Sequence, residues 1–384
     1  MMRVLQVGSG NLFGGVETLL CSLAEHDALA PGGGSNGHFA LCFEGLLSNR
    51  LQALGGQVYP LGEVRFRNPL SVRRARRALT DLCREQRFDA AICHSVWAQA
   101  LFGGTIRDAG LTSLFWLHGA AHGDGWLERL ASRHRPDFAI ANSRYTNGTV
   151  DRLYPGLSSA VLYPPLDMAV PSLTAGERAE IRRDCDTAAD DVVIVQNSRM
   201  EPWKGHALLL AALARLSDDP RWVCWIAGAA QRPQEAAYER HLHARAESLG
   251  VARRVRFLGQ RTDIPRLLAA ADVHCQPNVE AEPFGMVFIE ALTAGRPVVT
   301  TDLGGAREIV DDSCGILVPA GDTTALAEAL RRLIDEPELR ASLGGHGPAR
   351  ARQLCDPKRQ LSRLAAICAR ARRRTRRPCI RSAQ

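Results

Sequence analysis

The sequence predicts an α/β protein built from two doubly wound parallel-sheet domains that face each other across a cleft. Two observations carry that expectation. Short apolar runs of strand length alternate with amphipathic stretches of helix length along most of the chain, the pattern of a parallel sheet covered on both faces. The alternation is interrupted once, over residues 166–190, by a segment rich in Ala, Arg and Asp with no long apolar run, which marks an interdomain connection.

In the first block, RVLQVG, HFALCF, DAAICH, TSLFWLH, DFAIANS and SAVLYP read as strands, and Val16–Glu25, Ser71–Gln86 and Val96–Asp108 as helices. The block closes near Pro164-Pro165, and a short helix is expected over Ala175–Asp184. The second block opens at DVVIVQNS and continues with RWVCWIAG, RVRFLG, ADVHCQP, RPVVTT and CGILVP. Its last helix is expected over Asp322–Asp335, and a further helical stretch runs from Pro348 to about Ala371. These readings give Rossmann-like domains over 1–170 and 171–347. A C-terminal helix over 348–372 is expected to pack back on the first domain, followed by an Arg-rich, disordered tail over 373–384. No internal repeat interrupts this order. Ligands of such sheets collect beyond the C-terminal ends of the strands.

Composition narrows the class. With 384 residues, 46% hydrophobic and 23% charged, the chain has the balance of a globular protein with full cores. No apolar stretch approaches the roughly 18–20 residues of a membrane span. The start, MMRVLQVGSG, reads as a first strand rather than a secretion signal, so a cytoplasmic location is expected. Eleven scattered cysteines lack zinc or redox spacing and are expected to be reduced. Without secretion the formal sequon at Asn147 carries no meaning. Net charge is +7, and the seven arginines at 370, 372, 373, 374, 376, 377 and 381 account for all of it. The body is therefore close to neutral, which argues against a nucleic-acid partner. The tail reads as either a solvated end or a contact for an anionic membrane.

Four features carry chemistry. Gly14-Gly15, after the first strand, would let a ligand approach the backbone and open a helix toward it, or would serve as a plain tight turn. Arg199 and Lys204 flank the loop after VVIVQNS, where a fork and a point charge suit a diphosphate, unless both are solvated surface cations. Glu282 stands before a helix expected to start near Pro283, and Glu290 lies about two turns along it. A carboxylate inside that apolar helix needs hydrogen bonds, which a ribose diol would supply; an ordinary solvent-facing glutamate is the alternative. Backbone N–H groups at Gly285, Met286 and Val287 would face an anion. Lastly, His118 ends the strand TSLFWLH, placed either to donate to a sugar hydroxyl or titrate near neutral pH, or to hold a loop. His118 and His122 do not make a metal site.

Together these motifs resemble glycosyltransferase family 4, retaining enzymes of the GT-B fold. The resemblance runs from residue 1 to about 350 and is stronger in the second domain. It rests on the Arg199 to Lys204-Gly205 loop, on the Glu282 and Glu290 pair, and on the continuation EALTAGRPVVTTDLGGAREIV. It implies that Arg199 and Lys204 bind the donor phosphates, with the Gly14-Gly15 loop closing over them. Glu290 would hold the ribose hydroxyls, and Glu282 and His118 would contact the donor sugar. Gly285, Met286 and Val287 would cap the diphosphate or sugar through backbone. Val255–Gly259 resembles the strand whose following loop cradles the base. Trp203, before Lys204, departs from the family, where a smaller or polar residue is common.

The implied reaction moves a sugar, expected to be a hexose, from a nucleoside diphosphate to an acceptor hydroxyl with retention, in glycan, polysaccharide or glycolipid synthesis. It needs neither cofactor nor metal, because the cations and helix N-termini take up the leaving group's charge. The acceptor would be a glycan or a lipid-linked sugar. Arg65, Arg67, Arg73, Arg74, Arg76 and Arg77 gather on and before one helix, which either leans on anionic lipid or is a solvated face. Rival readings are a nucleotide-sugar epimerase and a catalytically silent sugar-nucleotide-binding protein. A nicotinamide-dependent oxidoreductase is disfavoured, since no GxGxxG precedes a downstream acid.

Overall fold

A computed structural model of the chain describes residues 2–11, 14–31 and 37–375. Internal contacts divide the chain into two units, Met1–Asp167 with Cys355–Gln384 and Met168–Leu354.

Among the described residues the first unit holds seven strands: β1 (Val4–Gly8), β2 (His38–Leu41), β3 (Gln57–Pro60), β4 (Ala90–His94), β5 (Thr112–Leu117), β6 (Phe138–Ala141) and β7 (Ser159–Val161). They pair in the order β3-β2-β1-β4-β5-β6-β7, every pair parallel. Successive side chains point to opposite faces, and here both faces are apolar. Leu5, Val7, Phe115 and Leu117 enter one core, while Val4, Leu114 and Trp116 enter the other. Strand β3 is absent from the sequence reading. It lies at the sheet edge, half exposed, and ends in proline, so its apolar signal is weak.

The second unit repeats the plan with β8 (Val192–Asn197), β9 (Trp222–Ala227), β10 (Val255–Gly259), β11 (Val273–Gln276), β12 (Val298–Thr301) and β13 (Gly315–Val318). Their order is β10-β9-β8-β11-β12-β13, again all parallel. In both units the winding reverses beside the first strand, between β1 and β4 and between β8 and β11. Crevices open at such points, beyond the C-terminal strand ends.

The C-terminal region differs from the sequence reading. Pro348 does not open a helix: it lies inside one that spans Pro337–Cys355. The preceding glycines, which look like a break, instead allow close packing. A Cβ on Gly344 would lie 2.3 Å from the Gly295 carbonyl oxygen. The unit boundary accordingly falls after Leu354 rather than after residue 347. The last helix, Pro357–Thr375, runs into what was expected to be the disordered tail. It buries Leu361, Leu364, Cys368 and Ala371 in the core that contains Trp116. The rest of that tail, 376–384, lies outside the described residues. The ten cysteines among the described residues are free and buried.

A buried ion pair ties the second unit together. Arg182, in the helix Ala175–Asp184, meets Asp272 at 2.6 Å and donates to the carbonyls of Ala189, Ala270 and Asp191. Asp272 in turn accepts from the Val193 amide at the start of β8.

Candidate functional site

Strand β8 ends at Asn197, and the loop after it runs through Ser198 and Arg199 into a short 3-10 helix, Pro202–Lys204. The loop after β11 carries Asn278 and Glu282 and enters the helix Met286–Thr293. That helix starts three residues later than the proline at 283 suggests. Glu282 precedes the helix, as expected, but by four residues rather than one, so helical spacing does not relate it to Glu290.

Lys204 Nζ nevertheless reaches Glu282 Oε2 at 2.8 Å, with both side chains at least 87% buried. The same oxygen accepts from Asn278 Nδ2 at 2.9 Å. A second carboxylate, Glu290 Oε2, accepts from Asn197 Nδ2 at 3.1 Å. Burial pushes the Glu290 carboxyl above its usual range, against the lowering effect of that hydrogen bond. Arg199 pairs with Glu201 at 2.8 Å and approaches Glu235 at 3.8 Å. It also lines a concavity of about 200 Å³ together with Asn197, Ser198, Gly228, Gln260 and Arg261, at the ends of β8, β9 and β10. Gly285 precedes the Glu290 helix with φ +103°, and a Cβ there would collide with the Phe288 ring at 2.3 Å. Glycine is thus required where Gly285, Met286 and Val287 turn the backbone into the helix start.

The structure supplies an account of Trp203. Lys204 Nζ lies 3.7 Å from the centre of its ring, a cation over a π face. Its indole N–H donates to Glu201 Oε2 at 3.0 Å. The indole thus connects the carboxylate on Arg199 with the cation on Glu282.

In the first unit, His118 follows β5 and stacks on His94 and Trp116, with ring centres 5.2 and 5.5 Å apart. Its Nε2 lies 3.0 Å from His94 Nδ1, and His94 Nε2 lies 2.7 Å from Gln6 Oε1. Burial pushes His118 down to about 3. It is therefore a neutral imidazole, and the expectation that it titrates near neutral pH fails. Gly14 and Gly15 open the helix Gly15–Glu25, but the Gly14 amide is not free for an anion: it donates to Glu17 Oε2 at 3.0 Å. The preceding loop residues 12 and 13 lie outside the described residues.

The sequence reading missed the amides behind the carboxylates, Asn197 and Asn278, and the buried His94 and His274. A signal existed. Each is a polar side chain in or just beyond an apolar strand, in VVIVQN, ICH and VHCQPN, where an unpartnered polar group would be costly.

The family model for glycosyl transferases group 1 matches residues 177–350. A D-inositol 3-phosphate glycosyltransferase of Corynebacterium jeikeium (strain K411) is 30% identical over 297 residues, 70% of this chain and 70% of its own length. The chain belongs to this glycosyltransferase family. A phosphatidyl-myo-inositol mannosyltransferase of Mycobacterium leprae is 40% identical over 146 residues, a stretch that spans 36% of this chain and 36% of that protein. Among solved structures, Anabaena Alr3699/HepE in complex with UDP superposes with a TM-score of 0.83 at 24% identity, covering 96% of this chain and 100% of that one. The family's fold of two Rossmann-like domains is therefore shared.

Proposed function

We propose that this glycosyltransferase moves a sugar from a nucleoside diphosphate to an acceptor hydroxyl, with retention and without a metal. One observation carries the reading: Lys204 with Glu282, and Asn197 with Glu290, each join the end of β8 or its following loop to the segment after β11, at the switch point where such sheets bind nucleotides. The cations there are held by carboxylates that a diphosphate can replace. As the sugar–phosphate bond breaks, charge grows on the diphosphate. Lys204 and Arg199 then stabilise that charge more than they stabilise the bound substrate. Glu290 accepts from the ribose hydroxyls. Glu282 positions Lys204 and contacts the sugar rather than attacking it, and the leaving phosphate takes the acceptor's proton. His118, neutral, is suited to a hydrogen bond with a sugar hydroxyl.

A thermal-shift screen against UDP, GDP and ADP tests the reading first, because a ligand of the native state raises stability. No shift with any of the three counts against it. Product analysis by NMR then separates transfer from epimerisation and reads the anomeric configuration, and unchanged turnover in excess EDTA is expected.

A lipid-linked acceptor is the second part of the proposal. The M. leprae relative is by name a mannosyltransferase of a phosphatidylinositol. In this chain, Arg65, Arg67, Arg73, Arg74 and Arg77 are exposed on and before the helix Pro69–Gln86. Leu70 and Trp126 are exposed at 60% and 61%, and Trp126 packs against Phe66 at 5.2 Å. Cations beside exposed apolar side chains suit an anionic membrane surface. Arg76 is excluded from that face, since its Nε donates to the Leu101 carbonyl at 2.8 Å. Sedimentation with anionic liposomes should fall when Arg73, Arg74 and Arg77 become serine; equal binding removes the idea.

A further inference from the structure

His274 takes no part in the reaction proposed above, yet it is polar and fully buried in β11. Its Nε2 lies 2.9 Å from Asn197 Oδ1, and the Asn197 amide nitrogen donates to Glu290 Oε2 at 3.1 Å. Its Nδ1 is buried with no hydrogen-bond partner among the described residues, and its ring meets Phe288 edge to face at 5.9 Å. Chemistry decides which group donates. An ionised carboxylate only accepts, so Asn197 must turn its NH2 toward Glu290. Its carbonyl then faces His274, which must carry a proton on Nε2. Burial pushes His274 down to about 3, so the ring holds a single proton and Nδ1 carries a lone pair. An apolar side chain at 274 would avoid burying that lone pair but would leave Asn197 Oδ1 without the His274 donor.

We propose that His274 and Asn197 form a positioning relay, in which the Nε2–H of His274 fixes the Asn197 amide and the amide fixes the Glu290 carboxylate for a ribose diol. The relay rests on the reading of Glu290 as the ribose acceptor, and the two can fail separately. The strand ends supply the geometry: His274 in β11 lies beside β8, whose last residue is Asn197. Glu290 reaches the same point from its helix.

The test uses the full chain and calorimetry with UDP, GDP and ADP, each against its 2′,3′-dideoxy counterpart. The wild type should favour the tightest-binding ribonucleotide by about tenfold or more, as expected for a hydrogen bond to a charged group. His274→Phe should erase most of that preference and leave dideoxynucleotide affinity unchanged. His274→Gln, which keeps an N–H donor, should restore it. A wild-type ratio near one overturns the ribose role and the relay with it. A ratio preserved in His274→Phe overturns the relay alone. Imidazole 15N NMR on the wild type gives a readout that does not depend on a variant folding. The Nε2–H tautomer of His274 is expected, and an Nδ1–H tautomer or an imidazolium overturns the relay.

Discussion

Lys204 Nζ sits 2.8 Å from Glu282 Oε2 and 3.7 Å from the centre of the Trp203 ring. The ammonium is thus held by a carboxylate and a π face in a site from which most water is excluded. Lysine is a mobile point charge with several rotatable bonds, so its position has to come from its surroundings. The same indole anchors Glu201, and Glu201 anchors Arg199. Both cations of the loop are therefore placed through one aromatic side chain.

Removing that side chain should loosen both. Trp203→Leu forfeits a cation–π contact of about 0.5–2 kcal/mol and a hydrogen bond of about 0.5–1.5 kcal/mol. Nucleoside-diphosphate affinity measured by calorimetry should fall about tenfold, since each 1.4 kcal/mol is a factor of ten. Trp203→Phe keeps the π face and loses only the N–H donor, so its loss should be smaller. Equal losses in the two variants would remove the π face from the account.

Charge removal at the site should act on turnover more than on folding. Lys204→Ala and Glu290→Ala are each expected to cut transfer at least about tenfold, from roughly 1.4 kcal/mol or more of lost transition-state stabilisation. Lys204→Ala also leaves Glu282 buried beside Asn278 alone. The activity of the purified variants, with circular dichroism to confirm folding, checks both. Near-wild-type transfer in either would contradict the site.

Much of this was legible in the residues. The six strands of the second unit and their order of appearance follow from runs such as VVIVQ and ADVHCQP, because strands buried on both faces must be apolar throughout. Arg199, Lys204, Glu282 and Glu290 stand out because charge beside apolar runs is unusual. Side-chain pairing was not legible. That Lys204 meets Glu282, and Asn197 meets Glu290, depends on β8 lying beside β11, which are separated by 75 residues of chain. Trp203 looked anomalous because its partners Glu201 and Lys204 are sequence neighbours whose side chains meet it only in the folded loop. The start of the Glu290 helix was misplaced because proline at 283 fits a first helical turn. The positive φ at Gly285, which delays the helix, carries no such signal.

The buried ion pair predicts a stability effect separate from catalysis. Arg182 is 3% exposed at its side chain and Asp272 14%. Arg182→Ala leaves Asp272 with Arg178, at 2.5 Å, and the Val193 amide, but takes the guanidinium from the carbonyls of Ala189 and Asp191. Breaking a buried pair outright costs about 3–5 kcal/mol, and the loss here should be smaller because Arg178 still faces the carboxylate. The urea midpoint should drop accordingly, while Arg182→Lys, with one point charge for several acceptors, should recover only part. An unchanged midpoint would mean that Arg178 alone satisfies Asp272 and that the Arg182 contacts add nothing to stability.

Nucleotide binding should depend on pH through Glu290. Its carboxyl is raised above the ordinary glutamate range, first by burial, with the Asn197 hydrogen bond opposing. The ionised form is the one that accepts from two ribose hydroxyls. Bound ribose adds further hydrogen bonds to that form, so binding draws the pKa down and releases a proton from any fraction still protonated. Affinity is therefore full above the raised pKa of the free protein and falls as pH drops through it, at a higher pH than an ordinary glutamate would show. The sign for stability is opposite: a raised carboxyl favours the protonated folded state, so this group contributes more to stability at low pH than at neutral pH. Calorimetry of UDP, GDP or ADP across pH 4.5–8 should show the affinity falling on acidification, and Glu290→Gln should flatten that dependence. The dideoxynucleotide, which has no diol to offer, should show only the weaker dependence that protonation of its terminal phosphate, at about pH 6, imposes.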